Sequence, residues 1–143
     1  IERLGGAALL VRREAPSWDE GFPFGLEDVD LSLRLGRQGD LLYCPDLRVV
    51  HEGGRASASH QAFVLESFER GFARYLRLHD PRPWASGLYK LLVTLDGPWR
   101  TLSAAWSALR RLGPSPRATL ARARLRAELS FYLGGGLLRF WRA

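Results

Sequence analysis

One segment, residues 62–79, limits what this chain can fold into more than any other feature. Its apolar side chains recur at the three- and four-residue spacing of a helix, and its charged side chains fall on the other side. The apolar positions are Val64, Leu65, Phe68, Phe72, Tyr75 and Leu76. Because a helix of this kind is stabilised mainly by packing of its apolar face, the segment predicts a helix that packs on a folded domain.

Size and composition indicate a single domain. The 143 residues suffice for one core, and 46% hydrophobic with 25% charged residues is ordinary for a globular protein. The single cysteine, Cys44, excludes an internal disulfide and a multi-cysteine metal site. No signal-peptide pattern opens the chain and no apolar run reaches the roughly 18 residues of a membrane span, so we expect a cytoplasmic location.

The pattern of residues 1–60 differs from that of the rest of the chain. The apolar run at 5–14 and two short pieces at 41–44 and 48–51 predict strands, and residues 28–38 between them predict a helix. Alternation of strand, helix and strand is typical of α/β proteins. We therefore expect an α/β fold for this part of the chain.

Residues 81–143 predict helices only. Two helical stretches, 85–95 and 99–111, are separated by an Asp-Gly-Pro sequence that we expect to break the helix. An Arg-rich segment runs from residue 117 to the end and is interrupted by three glycines. This part is expected to form an all-α tail.

Charge is divided unequally along the chain. Residues 1–80 carry ten basic and thirteen acidic side chains, whereas residues 81–143 carry eleven basic and two acidic ones. Basic helices with aromatic residues suit the anionic inner face of a bacterial membrane, and a helical layer packed on the domain with a solvated Arg face explains the same pattern. Because nothing in residues 1–80 resembles a nucleic-acid module, we expect no nucleic-acid partner.

Three acidic side chains, Glu27, Asp28 and Asp30, crowd the start of the helix predicted at 28–38. One explanation is structural, since acids stabilise a helix N-terminus and Asp is a favoured cap. The other is chemical, since a carboxylate beside a loop can act as general base toward a hydroxyl. Asp30 and Arg34 lie four residues apart and are expected to form an ion pair.

Two further elements also have both a structural and a chemical explanation. His51 ends the last predicted strand, where it can be an ordinary hydrogen-bonded residue or a ligand to a divalent metal. Trp18, Asp19 and Glu20 can form a turn anchored by the Trp ring, or the ring can stack on a sugar or base.

In order and spacing, these motifs resemble the C-terminal half of family 2 glycosyltransferases, most closely the bacterial rhamnosyltransferase-like members with a GT-A fold. The segments that carry the resemblance, within residues 5–80, are GGAALLVRRE, WDEGFPFGLEDVDLSLRL and GDLLYCPDLRVVHEGGRAS. The resemblance implies an acceptor-side α/β part of a GT-A mixed sheet at 1–60, without the nucleotide-binding half. An amphipathic helix at 61–80 would pack on it, and a basic helical extension would follow at 81–143.

The resemblance also implies roles on the acceptor side. Asp28 would be the catalytic base that deprotonates an acceptor hydroxyl for inverting attack on the sugar, and Glu27 would help to position it. Trp18, Asp19 and Glu20 match an element that borders the acceptor site. The acceptor would be a cell-surface glycan or a lipid-linked glycan at the inner face of the membrane.

On the donor side, Gly5 and Gly6 match small residues that line the pocket for the sugar of a nucleotide-sugar donor. His51 matches a position that supplies a ligand to a divalent metal, Mg or Mn, which holds the donor diphosphate. The other metal ligands, in an Asp-x-Asp motif, would precede this chain, and the Gln-x-x-Arg-Trp motif of processive synthases is absent. We therefore expect single-sugar transfer by a longer enzyme, and no activity from this chain alone.

A second hypothesis belongs to a different class of protein. In it the chain is a non-catalytic, basic helical module that binds membrane and carries a degenerate α/β cap. Under this hypothesis vesicle binding depends on the arginines of residues 117–126, whereas under the first hypothesis Asp28→Asn abolishes sugar transfer in the full-length enzyme.

Overall fold

A computed structural model describes residues 4–52, 54, 57 and 59–143, and its regular structure is helical. Within those ranges there are five helices, here numbered in chain order. They are α1 (Glu27–Gly36), α2 (Gln61–His79), α3 (Ala85–Leu109), α4 (Pro116–Leu133) and α5 (Gly136–Arg142). None of these helices is both long and apolar enough to cross a lipid bilayer.

The expected α/β fold is wrong for the described residues, which contain no strand and no sheet. The three predicted strands, at 5–14, 41–44 and 48–51, are irregular, and apolar side chains that a sheet would bury are open to solvent. Leu10 is 96% exposed and Val50 is 95% exposed. The physical reason is that a strand satisfies its N–H and C=O groups on a neighbouring strand, and these pieces do not pair with one another.

Helix α2 lies at the centre of a helical bundle, but its face differs from the predicted one: Glu69 and Ala73 are buried, whereas Phe68 is 44% exposed. It packs against α3, α4 and α5, and a core of Ala73, Val93, Phe131 and Phe140 joins the four helices. The rings of Phe131 and Phe140 lie 5.7 Å apart between their centroids and are almost fully buried.

Helix α3 is continuous where the sequence predicted a break at Asp-Gly-Pro. Pro98 lies inside the helix, so the carbonyl of Thr94 loses its usual amide partner. Tyr132 of α4 packs beside this part of the helix: its hydroxyl donates to the Val93 carbonyl (2.9 Å), and its ring lies against Gly97. A Cβ atom at Gly97 would lie 2.6 Å from the Tyr132 ring. The glycine next to the proline therefore permits the close approach of α4.

A buried polar cluster also holds the bundle together. Arg100 donates to Glu69 (2.7 Å) and lies 3.5 Å from Glu128, so one guanidinium on α3 joins carboxylates on α2 and α4. The Tyr89 hydroxyl donates to the other oxygen of Glu69. Burial, reinforced by this bond, raises the pKa of Tyr89 well above its usual value. Burial likewise raises the pKa of Tyr132 to about 12.

Helix α4 begins with an N-cap and a proline. The Ser115 hydroxyl accepts a hydrogen bond from the amide of Ala118 (3.2 Å), and Pro116 occupies the first helical turn. Its inner face is built from alanines at 118, 121 and 127, so the helix approaches its neighbours closely and its arginines point outward. Arg122, Arg124 and Arg126 are all exposed.

Residues 4–36 are attached to the bundle through one face of α2. A Cβ at Gly71 would lie 3.1 Å from the carbonyl oxygen of Gly25, so the loop before α1 contacts the α2 backbone directly. Arg74 pairs with Asp19 (2.7 Å), and His79 pairs with Asp30 (2.8 Å). Three consecutive turns of α2 therefore fix the position of α1 and of the loop before it.

Candidate functional site

A cleft of about 660 Å³ lies beside the N-terminus of α1 and gathers most of the residues singled out from sequence. The predicted residues that line it are Gly5, Gly6, Trp18, Glu27, Asp28 and His51. Ala7, Phe24, Glu52, Gly54 and Ser57 complete the described lining. These residues come from four stretches of chain that are far apart in sequence, so the cleft is formed by tertiary structure.

A left-handed turn brings the acidic residues to the cleft. Gly25 and Leu26 have φ angles of 78° and 71°, and Glu27 and Asp28 follow in the first turn of α1. Leu26 is the N-cap and gives no side-chain cap hydrogen bond, so Asp28 is not the helix cap. A bulky residue at positive φ is strained, and strain of this kind is concentrated at functional sites.

The Asp28 carboxylate is held by backbone amides on both of its oxygens. Oδ1 accepts a hydrogen bond from the amide of Val29 (2.8 Å), and Oδ2 accepts one from the amide of Gly6 (3.1 Å). A Cβ at Gly6 would lie 3.3 Å from Cβ of Asp28 and 3.6 Å from Cη2 of Trp18. Gly6 thus occupies the narrow space between the indole and the carboxylate.

Ser32 is a positioning residue that sequence reasoning missed. Its side chain is buried one turn after Asp28, where Oγ accepts from the Leu4 amide (2.9 Å) and donates to the Leu4 carbonyl (3.2 Å). Asp28 and Ser32 together hold residues 4–6 along α1. A serine inside a helix carries no motif, and only its four-residue spacing from Asp28 could have indicated a shared face.

Trp18 and Glu27 present contact groups of different chemistry to the cleft. Trp18 is 45% exposed, which leaves part of the indole open to a bound molecule. Oε2 of Glu27 is enclosed and has no hydrogen-bond partner within the described part of the chain. An indole beside a carboxylate can bind a sugar ring, the indole on its apolar face and the carboxylate on a hydroxyl.

Asp19 and Glu20 are not among the described residues that line the cleft. Asp19 accepts two hydrogen bonds from Arg74, and a third from the amide of Gly21 (2.8 Å). The hydrogen bonds from Arg74 lower the pKa of Asp19 below its ordinary value. Glu20 is exposed on the loop. Asp19 therefore holds the loop on α2. An acceptor-binding role for Asp19 and Glu20 stays a prediction.

His51 lies at the cleft, and Asp28 and Glu52 also line it. Across the described residues, no three His, Cys, Asp or Glu side chains are arranged to hold a metal ion. The donor groups present here therefore do not fit a divalent metal by themselves, and His51 as a metal ligand stays a prediction.

Asp30, the third acid of the cluster, faces away from the cleft and is 1% exposed. It forms the expected ion pair with Arg34 (2.7 Å) and a second contact with His79 (2.8 Å). The crowded acids thus divide between two tasks, with Glu27 and Asp28 at the cleft and Asp30 in the junction between α1 and α2.

Comparison with known proteins finds a partial similarity to one kind of enzyme. Two curated proteins from Mycobacterium tuberculosis, strains CDC 1551 / Oshkosh and ATCC 25618 / H37Rv, are each 44% identical to the chain over 68 residues. Both are named N-acetylglucosaminyl-diphospho-decaprenol L-rhamnosyltransferase. The match covers 41% of this chain and 22% of each relative, so the chain spans about a fifth of the relatives' length. No family model and no solved structure matches the chain.

Proposed function

We propose that this chain supplies the acceptor-side part of a family 2, inverting glycosyltransferase. The enzyme would transfer a sugar from a nucleotide-sugar donor to a hydroxyl of a lipid-linked glycan. The observation that carries the proposal is the convergence of Trp18, Glu27, Asp28 and His51 on one cleft. The partial similarity to enzymes named for a diphospho-decaprenol acceptor supports the choice of a lipid-linked glycan.

Asp28 is the group best suited to act as general base. Its carboxylate is oriented by the amides of Gly6 and Val29, and a fixed base loses little entropy in reaching its substrate. In the proposed step Asp28 takes the proton of the acceptor hydroxyl while the oxygen bonds to the anomeric carbon of the donor sugar. The bond from that carbon to the nucleoside diphosphate breaks on the opposite face, so the configuration inverts.

Glu27 and Trp18 are proposed to hold the acceptor. The enclosed Oε2 of Glu27 can accept a hydrogen bond from a second hydroxyl of the acceptor sugar. The exposed part of the Trp18 indole can cover the apolar face of that sugar. Gly6 keeps a narrow space open between Trp18 and Asp28, because a Cβ there would lie 3.6 Å from the indole and 3.3 Å from Cβ of Asp28.

The donor and its metal are proposed to be bound mainly by other parts of the enzyme. The chain covers 22% of the relatives' length, and its described residues offer no cluster of three metal-binding side chains. No step of the proposed reaction passes through a metal held here. The chain alone is therefore expected to transfer no sugar.

The decisive experiment is Asp28→Asn in the full-length enzyme that contains this chain. Loss of the base is expected to lower kcat for sugar transfer by about 10²–10⁴-fold while the KM for the donor stays the same. Asp46→Asn is the matched control, since Asp46 is exposed and outside the described cleft lining. A folded Asp28→Asn enzyme with unchanged kcat would remove Asp28 as the base, and a retained anomeric configuration in the product would overturn the inverting step.

A further inference from the structure

An apolar stripe runs along the solvent side of α3. Six large side chains form it at alternating intervals of three and four residues, each more than half exposed, from 54% for Leu92 to 72% for Trp99. The stripe consists of Leu92, Leu95, Trp99, Leu102, Trp106 and Leu109. This spacing places all six on one face of the helix.

Contacts on the opposite face of α3 hold the helix so that the stripe points to solvent. Val93 and Ala104 are buried in the bundle, and Gly97 lies against the Tyr132 ring. Arg100 is held by Glu69 (2.7 Å) on α2. Rotation of α3 about its axis would break these contacts, so the helix cannot bury the stripe in its own bundle.

The segment of chain that carries the stripe is strongly basic. Within residues 81–143, all of which the structure describes, there are eleven basic and two acidic side chains. Glu128 is 2% exposed and faces Arg100, which leaves Asp96 as the exposed acid of this part. This segment therefore carries an excess of positive charge, in which Arg82 is paired with Asp80 (2.7 Å).

Arginine and tryptophan occur together at both ends of α3. Before the helix, the Arg82 guanidinium lies 5.0 Å from the centre of the Trp84 ring. At its end, the Arg110 guanidinium lies 5.3 Å from the Trp106 ring, and Arg111 follows. Indole rings favour the headgroup level of a lipid bilayer, and arginines beside them can bind lipid phosphates.

Charge argues against a second copy of the chain as the partner that covers the stripe. Pairing two stripes would bring two basic segments together, and like charges would oppose the association. An anionic lipid surface has the complementary charge, and it also accepts an apolar face that is one helix wide.

We propose that α3 lies in the plane of an anionic lipid surface and inserts its apolar stripe at the boundary between headgroups and acyl chains. Arg110 and Arg111, at the end of the helix, bind the phosphates beside it. The Arg-rich α4 adds charge, whereas the insertion belongs to α3. This inference concerns attachment and does not depend on the sugar transfer proposed above.

Cosedimentation of the 143-residue chain with vesicles tests the proposal. Wild type is expected to bind vesicles of phosphatidylglycerol and phosphatidylcholine about tenfold or more tightly than vesicles of phosphatidylcholine alone. Trp99→Ser combined with Leu102→Ser is expected to weaken binding by about tenfold, since binding scales with the apolar area inserted. Both side chains are exposed, and circular dichroism checks that the variant keeps its helices.

Two controls make the result specific to the stripe. Leu42→Ser with Leu47→Ser removes two exposed leucines far from α3 in sequence and should leave binding unchanged. Asp28→Asn should also bind like wild type, so failure of the proposed catalysis and failure of the attachment are distinguishable. Equal binding to both vesicle types, or unchanged binding of the Trp99/Leu102 variant, would overturn the proposal. So would a dimer in sedimentation velocity that this variant dissociates while vesicles bind neither form.

Discussion

Oδ1 of Asp30 lies 2.8 Å from Nε2 of His79, and both side chains are buried where α1 meets the last turn of α2. Asp30 also pairs with Arg34, so one carboxylate satisfies two partners. This junction fixes the helix that presents Glu27 and Asp28 to the cleft. The site therefore depends on a residue that cannot reach it.

Replacement of Asp30 by alanine is expected to destabilise the protein by about 3–5 kcal/mol, because it leaves Arg34 and His79 without their buried partner. Urea denaturation followed by circular dichroism measures the change in the free energy of unfolding. Asp46→Ala, at an exposed position, should change it by less than about 0.5 kcal/mol. Equal effects of the two variants would mean that the buried pair contributes nothing.

Gly71→Ala should destabilise the attachment of the loop, because the new Cβ would lie 3.1 Å from the Gly25 carbonyl oxygen. Gly87→Ala is the matched control, a helical glycine with nothing within 4 Å of its Cβ position. Both changes gain about 0.5–1 kcal/mol of helix propensity. We expect Gly71→Ala to be about 1–3 kcal/mol less stable than the control. Equal thermal midpoints would show that the loop yields without strain.

The contact between Asp19 and Arg74 makes stability depend on pH. The hydrogen bonds from Arg74 lower the pKa of Asp19 in the folded state below its ordinary value of 3.8. The stabilisation is therefore complete above that value and is lost as the pH falls through the lower, folded-state pKa. Asp19→Asn should be less stable than wild type at pH 6, and the difference should shrink at pH below about 3.8. A difference that stays constant between pH 6 and pH 2.5 would contradict this assignment.

Arg100→Met should destabilise the bundle by about 3–5 kcal/mol, because Glu69 and Glu128 would keep their buried charges without the cation that balances them. Adding Glu69→Gln and Glu128→Gln to the same chain removes those charges and should recover most of the loss. Chemical denaturation of the single and triple variants gives both values. A triple variant no more stable than Arg100→Met would place the loss in packing rather than in charge.

The helices could be predicted where the signal is local. The apolar spacing of 62–79 predicts α2, whereas the cap of α4 at Ser115 and its start at Pro116 were not singled out from the sequence. The break expected at Pro98 did not occur, and the helix packs there against Tyr132, which lies more than 30 residues away along the chain. Local propensity gave the wrong answer where a tertiary contact decides the outcome.

The prediction of strands was wrong for a similar reason. An apolar run such as 5–14 indicates a buried strand only if another strand is present to pair with it, and the described residues provide none. The cleft brings Trp18, Asp28 and His51 together, and the roles of these residues stay predictions. The contacts that hold them, from Gly6 to Asp28 and from Leu4 to Ser32, join residues 22 and 28 positions apart and leave no trace in a local pattern.

Helix α2 contacts the loop and α1 through Gly71, Arg74 and His79, and it contacts α3 through Glu69. The cleft and the apolar stripe are therefore connected through one helix, α2, which is 19 residues long. If the stripe lies on a lipid surface, helix α2 determines the distance and the orientation of the cleft relative to that surface. A lipid-linked acceptor would then need a headgroup long enough to span the distance from the lipid surface to the cleft. In this way α2 would select acceptors by the length of their headgroup without contacting them.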